Sequence, residues 1–266
     1  TDISTTGSGV LNMTANLKNS YAATGAQVMK IPEYTTVDFK TGSSLTADNW
    51  DGTTGGVTIF YASQGTIIEN GITLSQNGAG FRGGVAGTQG EGEDGVGSGG
   101  VSAANGMGGG GSSGSIGIGG LSIIDANSVW RTGTDVNFKM LFGGGGGGGQ
   151  AGSAGSNGGG IIIIISPWIW NAGTITSHGV AGLNGDNDSG GGGGAGGSIF
   201  FFSEQIFNYT TPTVTAGIGG DVSGANPGGG GGGNALTGAN ATTPDGGTGA
   251  VGFYFQGFPE AFLPTS

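Results

Sequence analysis

Carboxylates that stand close together are the first candidates for chemistry. In Asp186-Asn187-Asp188-Ser189-Gly190, Asp186 and Asp188 have the alternating spacing with which a calcium loop presents its first oxygen ligands. The bidentate Glu that would close such a loop is missing, because residue 197 is Gly, so a solvated polar turn stands as the alternative. Glu91, Glu93 and Asp94 form a second acidic turn, and Asp48 and Asp51 flank Trp50. Spacing alone places no two of these carboxylates across a cleft, so a glycosidase is not argued from them. His178 is the sole histidine, and it has no Ser or Cys nucleophile in any known motif beside it. No Gly-x-Ser-x-Gly elbow occurs, and no Walker lysine follows a glycine tract. Two stretches fit the dinucleotide pattern literally, at 78–83 and 95–100. A chain this rich in glycine produces such matches by chance, and neither opens a helix. The expectation is a non-enzyme with no cofactor other than calcium at Asp186 and Asp188.

Composition says what must hold these residues. Gly is 69 of 266 residues, against an ordinary share of roughly 7 %. Seven prolines are too few for a collagen helix, and so much Gly opposes long α-helices at about 1 kcal/mol per site. The apolar residues cluster densely, as in Ile161 to Ile165 and Ile199 to Phe202, which is unlike a disordered chain. The net charge is −11, and every Lys and Arg lies at or before Lys139. That is the wrong sign for nucleic acid or an anionic membrane surface. No apolar run reaches the ~20 residues of a spanning helix, and there is no cysteine to form a disulfide or thiolate metal site. A start at Thr1 without Met is expected of a processed chain.

The chain also repeats itself. A Gly-Gly pair, a run of β-branched or aromatic residues, a second short run and a return to glycine recur from Gly55-Gly56, Gly119-Gly120, Gly159-Gly160 and Gly196-Gly197, with a partial copy at 249–255. Each unit has the length of one hairpin or of a pair of β-helix rungs. β-branched and aromatic enrichment between turn residues predicts strands. Strands that are apolar on both faces must be covered on both sides. Between them glycines fall at every third place, as at Gly149, Gly152, Gly155 and Gly158, or Gly179, Gly182 and Gly185. Three residues make one polyproline-II turn, so such spacing lines one side of an extended rod with bare backbone; a flexible linker is the alternative.

The fold class expected is therefore all-β: short strands in repeated hairpin or β-helix-like units, alternating with glycine-rich, polyproline-II-like rods. Residues 1–45 form a strand-bearing assembly segment, and 46–266 the glycine-rich repeat domain. Val10 and Leu11 in the first segment, and Phe253, Phe255 and Phe258 near the end, are the expected assembly contacts, because the C-terminal run is too apolar for a free tail. Trp130, Trp168, Trp170 and Tyr254 belong to core strands, or else to a stacking platform for sugar or a patch for a neighbouring subunit. Asn12, Asn187, Asn208 and Asn240 begin Asn-x-Ser/Thr sequons, which matter only in a glycosylating secretory route.

The stretches 47–57 (Ala-Asp-Asn-Trp-Asp-Gly-Thr-Thr-Gly-Gly-Val) and 80–84 (Gly-Phe-Arg-Gly-Gly), set among glycine tracts and short apolar strands, resemble two kinds of protein. One is the glycine-rich extracellular proteins of bacteria. The other is the polyglycine-II receptor-binding adhesin at the tail-fibre tip of T-even-type bacteriophages. The likeness spans about residues 45–258. The phage resemblance implies receptor contact by the loops between rods, which here would bring Glu91, Glu93, Asp94, Asn187 and Asn226 to a host surface. Three functions follow as expectations: a self-assembling subunit of an extracellular or surface filament, a phage adhesin, and, third, a carbohydrate-active enzyme. The partners expected are copies of the same chain and a cell-surface receptor or glycan, with the protein extracellular, on a cell surface or on a virion.

Overall fold

The computed structural model describes residues 27–86, 88, 90–91, 142–148, 154–184 and 190–221, with short strands at 112–113, 233–234 and 253–257. Among them there is no helix. The strands in chain order are β1 (Glu33–Phe39), β2 (Val57–Ile68), β3 (Thr73–Ser75), β4 (Ser112–Ser113), β5 (Ile161–Ile165), β6 (Trp168–Asn171), β7 (Thr174–Thr176), β8 (Ser198–Phe202), β9 (Gln205–Asn208), β10 (Gly233–Asn234) and β11 (Phe253–Gly257). The protein is all-β in this sense, and every pairing between these strands is parallel. A hairpin joins antiparallel strands, so the hairpin form of the expected unit has no counterpart among the described residues.

The pairings fall into columns. The main sheet runs β11-β8-β5-β2-β6-β9, with β1 also on β2. The first half of β2 pairs with β5, β5 with β8, and β8 with β11, which puts Val57, Ile161, Ser198 and Phe253 at equivalent places. The second half of β2 pairs with β6, and β6 with β9. A third column joins β3, β7 and a bridge at Thr213. Sequence pattern suggested two strands in 57–68. One continuous strand is found, because β1 pairs across the join, from Tyr61 to Ile68. β9 was not foreseen at all. β1, from the segment before residue 45, belongs to the same sheet as β2.

Alternation within the columns makes the core. Phe60, Ile164 and Phe201 form one cross-strand ladder, and Ile162 and Ile199 stand beside it. They join Phe39, Ile68, Leu74, Ile169 and Ile175 in a buried cluster. The opposite face of β5 and β8 is also buried: Ile161, Ile163, Phe200 and Phe202 pack with Val57, Ile59, Phe142 and Ile165. Strands apolar on both faces are thus covered on both, as parallel strands require.

The Gly-Gly pairs form a column of their own. A Cβ on Gly160 would press on the carbonyl oxygen of Gly56, and one on Gly197 on that of Gly160. Those carbonyls accept from Ile161 N (2.8 Å) and Ser198 N (3.0 Å), so the strands start in register because the glycines stack. At Gly55 and Gly56 the φ angles are 99° and 76°, where side chains are disfavoured.

Beyond the strands, the tracts 78–86, 142–148, 154–160, 177–184, 190–197 and 215–221 lie side by side and bond through their backbones. Residues 154–159 show the pattern. Gly155 and Gly158 donate to Gly84 and Phe81 (both 2.9 Å). Ser156 and Gly159 donate to Gly192 (3.1 Å) and Ala195 (2.8 Å). The carbonyls of Ala154 and Asn157 accept from Leu183 (3.3 Å) and Val180 (2.9 Å). The carbonyls of Ser156 and Gly159 accept from Gly146 and Gly143 (both 2.8 Å), so residues three apart face the same neighbour and one tract serves four others. Where a donor has no backbone partner, a side chain substitutes: Asn157 Oδ1 accepts from Gly83 N (2.9 Å) and its Nδ2 donates to Gly78 O (3.3 Å).

The close approach has a testable cost. A Cβ at Gly158 would fall on the Gly143 carbonyl, and one at Gly194 on the Asn157 carbonyl. Backbone cannot yield as a side-chain tip can, so Gly158→Ala and Gly194→Ala should each destabilise by about 1–3 kcal/mol or more. Leu183→Ala, at a position 55 % exposed on the same bundle, should change stability by only about 0.5 kcal/mol. Thermal unfolding of the three variants checks this; equal melting temperatures would mean that the tracts are not packed as described.

Candidate binding surfaces

The parallel register of β2, β6 and β9 carries side chains across strands in rows. Ile67, Trp170 and Phe207 occupy one row, and Trp168 and Gln205 another. Successive side chains alternate faces, so Trp168 and Trp170 share one face, two residues and about 6.6 Å apart. Ile169 between them points into the core and is fully buried. The result is an open groove of about 570 Å³ lined by Ile67, Trp168, Trp170, Gln205 and Phe207. Tyr209 extends it: its ring lies 5.4 Å from that of Trp170, inclined at 59°. Phe207 and Tyr209 are 51 % and 71 % exposed, so this is outer surface and not unfinished core. Trp168 is held from below, because its indole covers Gly65 and its carbonyl accepts from Ser166 Oγ (2.9 Å).

A second constellation gathers the two most distinctive sequence stretches. Trp50 N donates to Ala79 O (3.0 Å), which brings the 47–57 loop against the 80–84 stretch. Trp50, Phe81 and Phe142 form an aromatic triad, with centroids 5.3 Å apart for Phe142 with either partner and 6.1 Å for Trp50–Phe81. Above it, Glu91 accepts from Trp50 Nε1 (3.2 Å), Arg82 N (2.9 Å) and Arg82 Nε (2.8 Å), and pairs with Arg82 Nη2. Burial alone would raise the Glu91 carboxyl, but these hydrogen bonds and the guanidinium charge outweigh it and hold the pKa below the usual range. The carboxylate proposed as a receptor contact is therefore engaged within the fold. The Asp51 carboxylate accepts from Thr54 and Thr53, which lowers its pKa to about 2.

His178 sits where β7 hands over to a glycine tract. Its Nδ1 accepts from Thr215 N (2.9 Å), and its Nε2 lies 3.3 Å from Thr213 Oγ1. The imidazole therefore links two successive passes of the chain, with the Thr215 hydroxyl 2.9 Å from Nδ1 and the Thr213 hydroxyl at Nε2.

Of the other expected site residues, Asn208 lies exposed on β9, where its Oδ1 accepts from Asn171 Nδ2 (3.4 Å). Phe253 and Phe255 lie in β11, paired with Ser198 and Phe200. Asp186, Asp188, Asn12, Asn187, Asn240, Glu93, Asp94, Asn226, Val10, Leu11 and Phe258 fall outside the described residues. Phe207, Tyr209, Gln205 and Ile67 were not foreseen as site residues. The aromatic residues two apart at Phe207 and Tyr209 are the signal that could have found those two, while nothing in the local sequence marks Ile67 or Gln205. Compared with protein-family models, curated proteins and solved structures, the chain matches none.

Two pH effects follow. Burial lowers the His178 pKa from its ordinary 6.5, so the unfolded chain binds the proton more readily. Its contribution to stability should be complete above about 6.5 and lost as pH falls through the lowered value. His178→Gln should remove that slope from a plot of denaturation midpoint against pH. The Asp51 contribution should persist above 3.8 and disappear as pH falls through about 2, and Asp51→Asn should abolish it.

Proposed function

We propose that this chain is a non-enzymatic structural subunit of an extracellular or cell-surface filament, joined to its copies through strand and aromatic contacts. The observation that carries the proposal is an open stack of parallel strands fastened to a cross-bonded glycine bundle. We read each passage through the three strand columns as one turn of a β-helix-like coil, and the glycine tracts as polyglycine-II-like rods. The stack has β1 on one side and β9 and β11 on the other, and no further described strand pairs beyond them. Parallel edges are templates for another strand. A contact between unlike ends of identical subunits does not close, so it propagates into a filament. β1 suits this role because Glu33 to Thr36 are all exposed.

A second reading, a receptor-binding adhesin at a phage tail-fibre tip, is favoured by a different observation. The described parts of the glycine tracts run from the strands toward one end of the bundle, where Gly148 N donates to Thr88 O (2.8 Å) and Asp221 N to Asn184 Oδ1 (2.9 Å). A receptor-contacting tip would need such a shared end.

Electron microscopy and light scattering of the purified protein separate the readings. The filament reading expects concentration-dependent polymers. Tyr34→Lys, which puts a charge on the β1 edge, should leave the circular dichroism unchanged and suppress polymer formation. Discrete particles at every concentration, together with adsorption to bacterial cells, would replace the filament by the adhesin.

A further inference from the structure

We propose that the groove of Trp168, Trp170, Phe207 and Tyr209 binds a neutral, extended oligosaccharide. Four observations lead there. The lining is mainly aromatic, Trp168, Trp170 and Phe207, with Ile67 and Gln205 the other members. Aromatic faces carry partial negative charge, and the C–H-bearing face of a pyranose ring presents the complementary partial positive charge. Trp168 and Trp170 share one strand face, with backbone positions about 6.6 Å apart, so one extended ligand can reach both indoles. The groove is shallow and open to solvent, which admits an extended ligand and gives no closed cavity for a compact apolar one.

Charge selects among ligands that stack. Single-stranded nucleic acid also stacks on aromatic platforms, but needs a positively charged track for its backbone. No lining residue is basic, and no Lys or Arg follows Lys139 in the chain. The register that sets Ile67 beside Trp170 also sets Asp38 beside Ile67, so the row ends on a carboxylate. Asp38 is exposed and pairs with Lys40 Nζ at 3.1 Å. A carboxylate oxygen at one end and the Gln205 amide at the other are suited to sugar hydroxyls. With Asp38 paired to Lys40 and no basic side chain in the lining, the groove offers an anionic polymer no net positive charge and suits an uncharged one.

The inference is independent of self-assembly. Binding and particle size are separate readouts, so failure of one is distinguishable from failure of the other. The test is titration calorimetry of the full chain, kept below any polymerising concentration, with the hexasaccharides of cellulose, amylose and chitin as probes. An oligouronate and a single-stranded oligonucleotide serve as anionic comparisons. At least one neutral hexamer should bind, and neither anionic polymer should. Trp170→Ala should weaken binding roughly tenfold or more, the ordinary result of truncating an aromatic anchor. Tyr209→Ala, at a highly exposed position, gives a second reading that does not depend on the fold. Trp50→Phe, in the other aromatic cluster, should leave affinity unchanged. The proposal is overturned if no neutral hexamer binds the wild-type chain, or if an anionic polymer binds more tightly. It is also overturned if both groove variants retain full affinity while losing self-association, because the groove would then be a joint between copies.

Discussion

The whole structure depends on backbone meeting backbone at distances that exclude a Cβ. In the bundle, the carbonyl of one tract occupies the space where the neighbouring tract would carry a side chain, as Gly143 does for Gly158 and Asn157 for Gly194. Each tract then offers N–H and C=O groups in three directions, and buried backbone polar groups are satisfied without a helix or a sheet. Apolar burial contributes little there, because glycine has no side chain to bury. Cohesion comes from hydrogen bonds and close-packed dispersion contacts, individually modest and collectively extensive. The conformational entropy lost in ordering so many glycines opposes it and must be met by the rest of the fold.

The rest is the strand stack. Its Ile and Phe ladders bury apolar area on both faces of β5 and β8, where the glycine bundle has none to bury. The two parts are coupled through Gly56, Gly160 and Gly197, which belong to both. Their stacking aligns the strands, and the aligned strands return the chain to the bundle at the same level. The triad of Trp50, Phe81 and Phe142, with the Arg82–Glu91 pair above it, closes this junction from the side. Neither part has an obvious means of ordering itself alone, so cooperativity between them is built into the connectivity.

The outward face of the stack follows a different rule. Inward residues are fixed by packing, whereas Trp170 and Phe207 are aligned by strand register, with Trp168 seated on Gly65 and Tyr209 against Trp170. Parallel pairing without a shift between β6 and β9 brings together aromatic residues far apart in the chain. The exposed rings of Phe207 and Tyr209 are more apolar surface than the core beneath them uses.

Strand character, the absence of helix among the described residues, the two-faced burial of the Ile and Phe runs, and the three-residue period of the tracts were legible in the sequence, because each depends on local spacing. The meaning of the Gly-Gly pairs was legible only in part: their recurrence was plain, but their stacking was not. Pairing direction was undecided between hairpin and coil, since the same strand pattern serves both. The engagement of Glu91 by Arg82 and Trp50, the union of Trp168 and Trp170 with Phe207 and Tyr209, and the continuity of β1 with β2 were decided by tertiary structure alone. The physical reason is that local propensity is set within a few bonds. Register and proximity are set by which distant backbones can approach one another, and that is known only once the glycines have been placed side by side.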